Sequence, residues 1–188
     1  MILPAILKQV FLDNYKKICA EGGFERSTWT IDLCYILRGF NVRHVYLTKL
    51  IGINPAYYNQ SYYINVITKD EKRVMHKLRQ AEKNGITILQ KTVAIEELVM
   101  HLAKNGPIIL LTNSAFLGCD ICKQNFSDRR TEYSGHYIVL SGYDLLRGQI
   151  FYKNPGTNNH TCITSFSVID QARKAFGTDQ DVILIFYS

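Results

Sequence analysis

The sequence predicts an α+β domain, with N-terminal helices packed on a mostly antiparallel sheet, on the strength of three features. Apolar residues recur three and four positions apart through much of the first hundred, which is the spacing of one helix face. Strand-like runs then cluster after residue 135, two of them joined by a turn over 144–148 that is too short for the dozen or more residues a parallel crossover needs. Finally, 188 residues are enough for one core and too few for two sizeable ones, so 1–188 is expected to be a single domain.

In order along the chain, Leu3, Ile6, Leu7, Val10, Phe11 and Tyr15 form the stripe of an amphipathic helix that should end before Gly22-Gly23. Ser27 or Thr28 can cap a second helix whose Trp29, Leu33, Ile36 and Leu37 face one way, with Gly39 as its stop. A strand is expected over 42–47, followed by an irregular loop over 52–65, where Tyr, Asn and Pro break any period. Thr68 and Glu71 read as a capping box opening a helix through Val74, Leu78 and Ala81 to Asn84-Gly85. A strand over 86–91, a helix capped by Thr92 and carrying Ile95, Leu98, Val99 and Leu102, and a strand over 108–112 come next. Strands are expected at 136–143, 149–152 and 182–187, with a helix over 165–176 between the last two.

Composition narrows the function classes. Hydrophobic residues at 47% and charged residues at 20% are ordinary for a folded domain, and no apolar run approaches the roughly 18 to 20 residues of a membrane span. The net charge of +6 is diffuse, and its densest part, 69–79, interleaves Asp70 and Glu71, as on the wet face of a helix. No specific nucleic-acid partner is therefore expected. Five cysteines, an odd number, point to reduced thiols and a cytoplasmic protein. The sequons beginning at Asn59, Asn125 and Asn159 do not establish secretion, and the apolar start at 1–7 lacks the basic leader and small-residue cleavage site of a signal peptide.

Two constellations can carry chemistry. His136 opens an apolar strand and Asn154 closes the next one, so a hairpin brings them to one end of a sheet, where an imidazole can manage a proton and an amide oxygen can orient it. Spacing alone favours two strand-end residues making ordinary turn hydrogen bonds. Cys119 and Cys122 form a CxxC, half of a zinc site, and His160 with Cys162 supplies a second half at a non-standard spacing. The alternative is a loop with unliganded thiols. Cys19 and Cys34 are placed on helices like small core residues.

Several separated motifs in order give the chain a recognisable pattern: Ser27-Thr28-Trp29-Thr30-Ile31-Asp32-Leu33, Asn59-Gln60-Ser61-Tyr62, Cys119-Asp120-Ile121-Cys122, the run from Gly135 to Tyr143, Phe151-Tyr152-Lys153-Asn154-Pro155, and Phe176-Gly177-Thr178-Asp179. It resembles the guanylyl cyclase domain-containing family over nearly its whole length. That resemblance implies a papain-like cysteine peptidase fold, with His136 as the base and Asn154 as its orienter. It also implies a nucleophilic Cys in an Asp-Cys-Gly run opening the first helix, which this sequence lacks. The chain is thus expected to be N-terminally truncated, with apolar surface exposed where an upstream segment packs, and inert in acyl chemistry as it stands.

No cofactor is required for such chemistry. Its partner would be a peptide or protein, as substrate or as binding partner. Two alternatives follow from the same resemblance, a non-catalytic interaction domain and a guanylyl cyclase converting GTP to cyclic GMP. Cyclisation needs metal-binding carboxylates, charge stabilisation on the triphosphate and activation of the 3′-hydroxyl, and no phosphate loop or carboxylate cluster stands out.

Overall fold

A computed structural model describes residues 2–23, 27–59, 61–122, 133–157 and 160–187, without the side chains of 59 and 61–66. The sequon at Asn125, Asn159 of the last sequon and Gln60 therefore lie outside the described residues. Among the described residues, seven strands form one sheet: β1 (His44–Thr48), β2 (Thr87–Gln90), β3 (Ile108–Asn113), β4 (Gly135–Asp144), β5 (Gln149–Lys153), β6 (Thr161–Ser165) and β7 (Val182–Ile185). Their order is β2-β1-β7-β3-β4-β5-β6. Every pairing is antiparallel except β1 with β2. The mixed α+β class with a mostly antiparallel sheet is as the sequence predicts.

The α-helices among the described residues are α1 (Ala5–Gly22), α2 (Thr30–Gly39), α3 (Ser61–Gln80), α4 (Ile95–Lys104) and α5 (Phe166–Lys174). Because side chains alternate along a strand, the two faces of β4 enter different cores. Ile138 and Leu140 join Leu98 and Val99 of α4 and Ile169 and Ala172 of α5 in one cluster. Tyr137 and Val139 face the other, built with Ile31, Cys34 and Leu37 of α2 and Val74 of α3. Helices thus cover both faces, and the later helices α4 and α5 take the side that a purely N-terminal helical layer would leave bare. Ile138 has no exposed surface. Its replacement by Val should cost about 1 kcal/mol, read as a lower urea midpoint at unchanged m-value.

Several boundaries differ from expectation for identifiable reasons. The expected loop over 52–65 contains a 3₁₀ turn, Pro55–Asn59, and the first part of α3, so Thr68 and Glu71 lie inside a helix rather than at its start. Tertiary contacts override the weak local signal there: buried Ile67, Asp70 and Val74 recur at helical spacing, and Asp70 accepts hydrogen bonds from Ser27 and from the Trp29 indole. Neither Ser27 nor Thr28 caps α2. Its N-cap is Trp29, whose backbone N–H donates to Asp32 Oδ2 at 3.0 Å. The other oxygen of that fully buried carboxylate takes Arg73 and, at 2.6 Å, Lys77, tying α2 to α3 through a buried charge cluster. Ala94 rather than Thr92 is the N-cap of α4. Strand β6 is absent from the sequence reading because its five residues alternate over too short a run to stand apart from the adjoining helix signal.

Helix α1 forms where expected and stops at Gly23, which takes the left-handed conformation at φ 68°. Its stripe, however, is not buried. None of its residues is buried, Ile6, Val10 and Tyr15 are exposed, and Cys19 is half-buried rather than in the core. The helix rests on α2 through an edge-to-face contact of Phe11 with Phe40.

Candidate functional site

His136 and Asn154 meet. Lys153 pairs with Val139, which sets Asn154 opposite 138 and on the face that 136 and 138 share. Asn154 Oδ1 lies 2.8 Å from His136 Nε2 and also accepts the Gly156 N–H at 2.8 Å. A Cβ on Gly156 would stand 3.2 Å from that oxygen, so the turn after β5 closes on the amide and holds it buried. With the amide oxygen as acceptor, the ring proton sits on Nε2 and the Nδ1 lone pair is left for another group. Among the described residues no hydrogen bond occupies Nδ1, and none of the five cysteines is bonded to the ring.

Cys119, Cys122, His160 and Cys162 also converge, with their ligand atoms all within 4.8 Å of one another. Two elements bring them together. The Cys119–Cys122 turn is pinned by the Asp120 N–H donating to Ile163 O at 2.9 Å and by Tyr152 Oη donating to Gly118 O at 2.8 Å. Cys162 points inward from β6, while His160 precedes that strand and sits 3.6 Å from the Cys162 sulfur. Burial pushes the Cys119 thiol up, but the backbone N–H groups around it, that of Cys122 first, outweigh burial and bring it down to about 7. Burial and the neighbouring Cys119 push Cys162 up to about 11. Three sulfurs and one imidazole nitrogen are the donor set of a closed tetrahedral zinc site, whose ligand atoms are on the order of 3.7 Å apart at zinc bond lengths of about 2.0 to 2.3 Å. A modest contraction of the cluster reaches that geometry.

Sequence reasoning missed a third grouping. Asp181, just before β7, is buried; Thr30 and Tyr46 both donate to its Oδ2, the latter at 2.8 Å, and Thr30 also bonds Tyr137 Oη at 2.9 Å. Burial is the main cause that raises the Asp181 carboxyl to about 7, against the hydrogen bonds that lower it. The available signal was the placement of Thr30 and of neighbouring Thr178-Asp179 within two of the motifs that carry the family resemblance.

The sequence model of the Guanylylate cyclase family matches residues 1–185. The chain belongs to that family. It is also similar to Guanylyl cyclase 1 of Arabidopsis thaliana, at 32% identity over 180 residues, 93% of this chain and 64% of the relative's length. The chain thus spans less than two-thirds of that curated guanylyl cyclase family relative. No solved structure matches it. Among the described residues no helix is long and apolar enough to cross a membrane.

Proposed function

We propose that this guanylyl cyclase family chain carries the acid/base half of a papain-like Cys–His–Asn hydrolase site. The observation that supports the reading is the 2.8 Å contact between His136 Nε2 and the doubly hydrogen-bonded Asn154 Oδ1. In this reading Nδ1 takes the proton of an attacking thiol and returns it to the leaving group, while Asn154 fixes the ring's tautomer and direction. The substrate would be a peptide or another acyl compound. None of the chain's five cysteines stands against the ring, so residues 1–188 alone are expected to be inert in acyl transfer. Zinc at Cys119, Cys122, His160 and Cys162 would be structural, since all four positions are protein ligands and none is left open to substrate.

The test is to express the coding sequence with its native upstream codons and label it with a cysteine-reactive electrophile. Labelling of an added thiol should exceed that of residues 1–188 and fall about a hundredfold in rate in His136→Ala. Equal labelling of the two forms would sink the hydrolase reading. It would favour a non-catalytic interaction domain, which the lack of a thiol at the ring also suits. A cyclase reading, favoured by the relative's name, requires cyclic GMP to form from GTP with a divalent cation. The hydrolase reading expects none.

A further inference from the structure

A cavity of about 300 Å³ opens on the face of the sheet opposite His136, between the N-terminal end of α2 and the residues preceding β7. Its wall carries the rings of Trp29, Tyr57, Tyr133 and Tyr137 and the carboxyl groups of Asp179 and Asp181. No Lys, Arg or His is among its described lining residues, although the chain has 22 Lys and Arg and a net charge of +6. Arg73 and Lys77, beside the lining residues Val74 and Leu78 in sequence, are both engaged by Asp32.

Two features show that the wall is built. Tyr133 is seated between glycines: a Cβ on Gly177 would fall 2.5 Å from its ring, and one on Gly135 would fall 2.7 Å from its hydroxyl. Asp181 is only 7% exposed, and while its Oδ2 receives Thr30 and Tyr46, its Oδ1 has no hydrogen-bond partner among the described residues. A buried carboxylate oxygen left unpaired carries the desolvation cost of that atom until a donor or a positive charge meets it. Asp179, two residues earlier in the chain, accepts a hydrogen bond from Asn54 Nδ2 at 2.9 Å.

We infer that this cavity binds a small organic cation, an alkylammonium or guanidinium group whose charge meets Asp181 and Asp179 while the aromatic rings pack on its alkyl body. Ring faces attract cations through their quadrupole, and the attraction grows in a desolvated site. The same chemistry disfavours a nucleoside triphosphate here, because its phosphates would meet two carboxylates and no cation. The inference goes beyond the hydrolase reading and stands or falls without it.

Binding of n-butylammonium and agmatine, with 1-butanol and butyrate as neutral and anionic controls, can be followed by NMR titration of the tyrosine and tryptophan ring signals. The cations should bind at least about tenfold more tightly than 1-butanol, and butyrate should not bind. Asp181→Asn should remove most of that preference, and Asp179→Asn, closer to the surface, should weaken it without disturbing the fold seen by circular dichroism. Equal binding of 1-butanol and n-butylammonium would overturn the proposal in favour of a plain apolar cavity. So would no binding by any probe, or cation binding that survives both substitutions unchanged. Nα-acetyl-lysine amide, which keeps its side-chain ammonium on a peptide-like body, distinguishes a side-chain ligand from a free amine by whether it binds as tightly as n-butylammonium.

Discussion

Purified protein should contain one zinc per chain, and stripping it with a chelator should lower the thermal midpoint by about 10 °C. The size follows from what the four ligands join. Cys119 and Cys122 lie on a turn after β3, and His160 and Cys162 lie at the start of the edge strand β6, so metal ligation would tie to that edge strand a turn otherwise pinned by the Asp120 and Tyr152 hydrogen bonds. The domain has its own core and should not unfold outright as an isolated zinc finger does. A loss of about 3 to 4 kcal/mol, at about 2 to 4 °C per kcal/mol for a domain of this length, gives the stated shift. Cys119→Ser should reproduce most of it and be insensitive to chelator. The effect should extend to the His–Asn pair, because Asn154 and Cys162 bound one loop, and Thr157 bonds the Asn154 carbonyl at 3.0 Å while standing 4.0 Å from the Cys162 sulfur. Loss of a protected His136 Nε2 proton signal on chelation would report it. Metal analysis without stoichiometric zinc would rule the site out as a zinc centre.

Replacing Asp181 with Asn should stabilise the protein increasingly as pH rises from 4 to 8. Burial holds this carboxyl at about 7 in the folded protein, against 3.8 as the ordinary value. A folded-state pKa above the unfolded one means that the folded chain binds the proton more tightly. Its stability is therefore greatest below the unfolded value and is lost as pH climbs through the folded one. A separation of about three pH units corresponds to roughly 4 kcal/mol between the ends of that range. Asn keeps an oxygen for Thr30 and Tyr46 and cannot ionise, so the difference in unfolding free energy between variant and parent isolates this group. Asp70 and Asp170, held low by their hydrogen bonds and ion pairs against burial, move stability the other way at acid pH but do so equally in both proteins. A pH-independent difference from urea titrations at pH 4, 6 and 8 would show that Asp181 ionises in the folded state as it does in the unfolded one.

The α+β class, the mostly antiparallel sheet and four of the five helices in outline are legible in the amino-acid order, because strands 135–144 and 149–153 and helices such as 95–104 each carry their own period and punctuation. The His136 and Asn154 pairing was also within reach, since a hairpin with a short turn constrains which residues share its open end. The start of α3 was not, because its tyrosines and asparagines carry little helical signal and contacts with Ser27 and Trp29 are formed from forty residues away. Nor could spacing alone assemble Cys119 and Cys122 with His160 and Cys162, which meet only because β5 and β6 fold the later pair back over the earlier turn. Asp181 shows the limit most clearly. In the sequence it is one aspartate in a polar run before a strand, and its burial beside Thr30, Tyr46 and Tyr137 comes from the sheet order that sets β7 between β1 and β3. Local periodicity is written in neighbouring residues. A polar cluster closed by long-range pairings has no local period, and its energy exists only once the strands have taken their places.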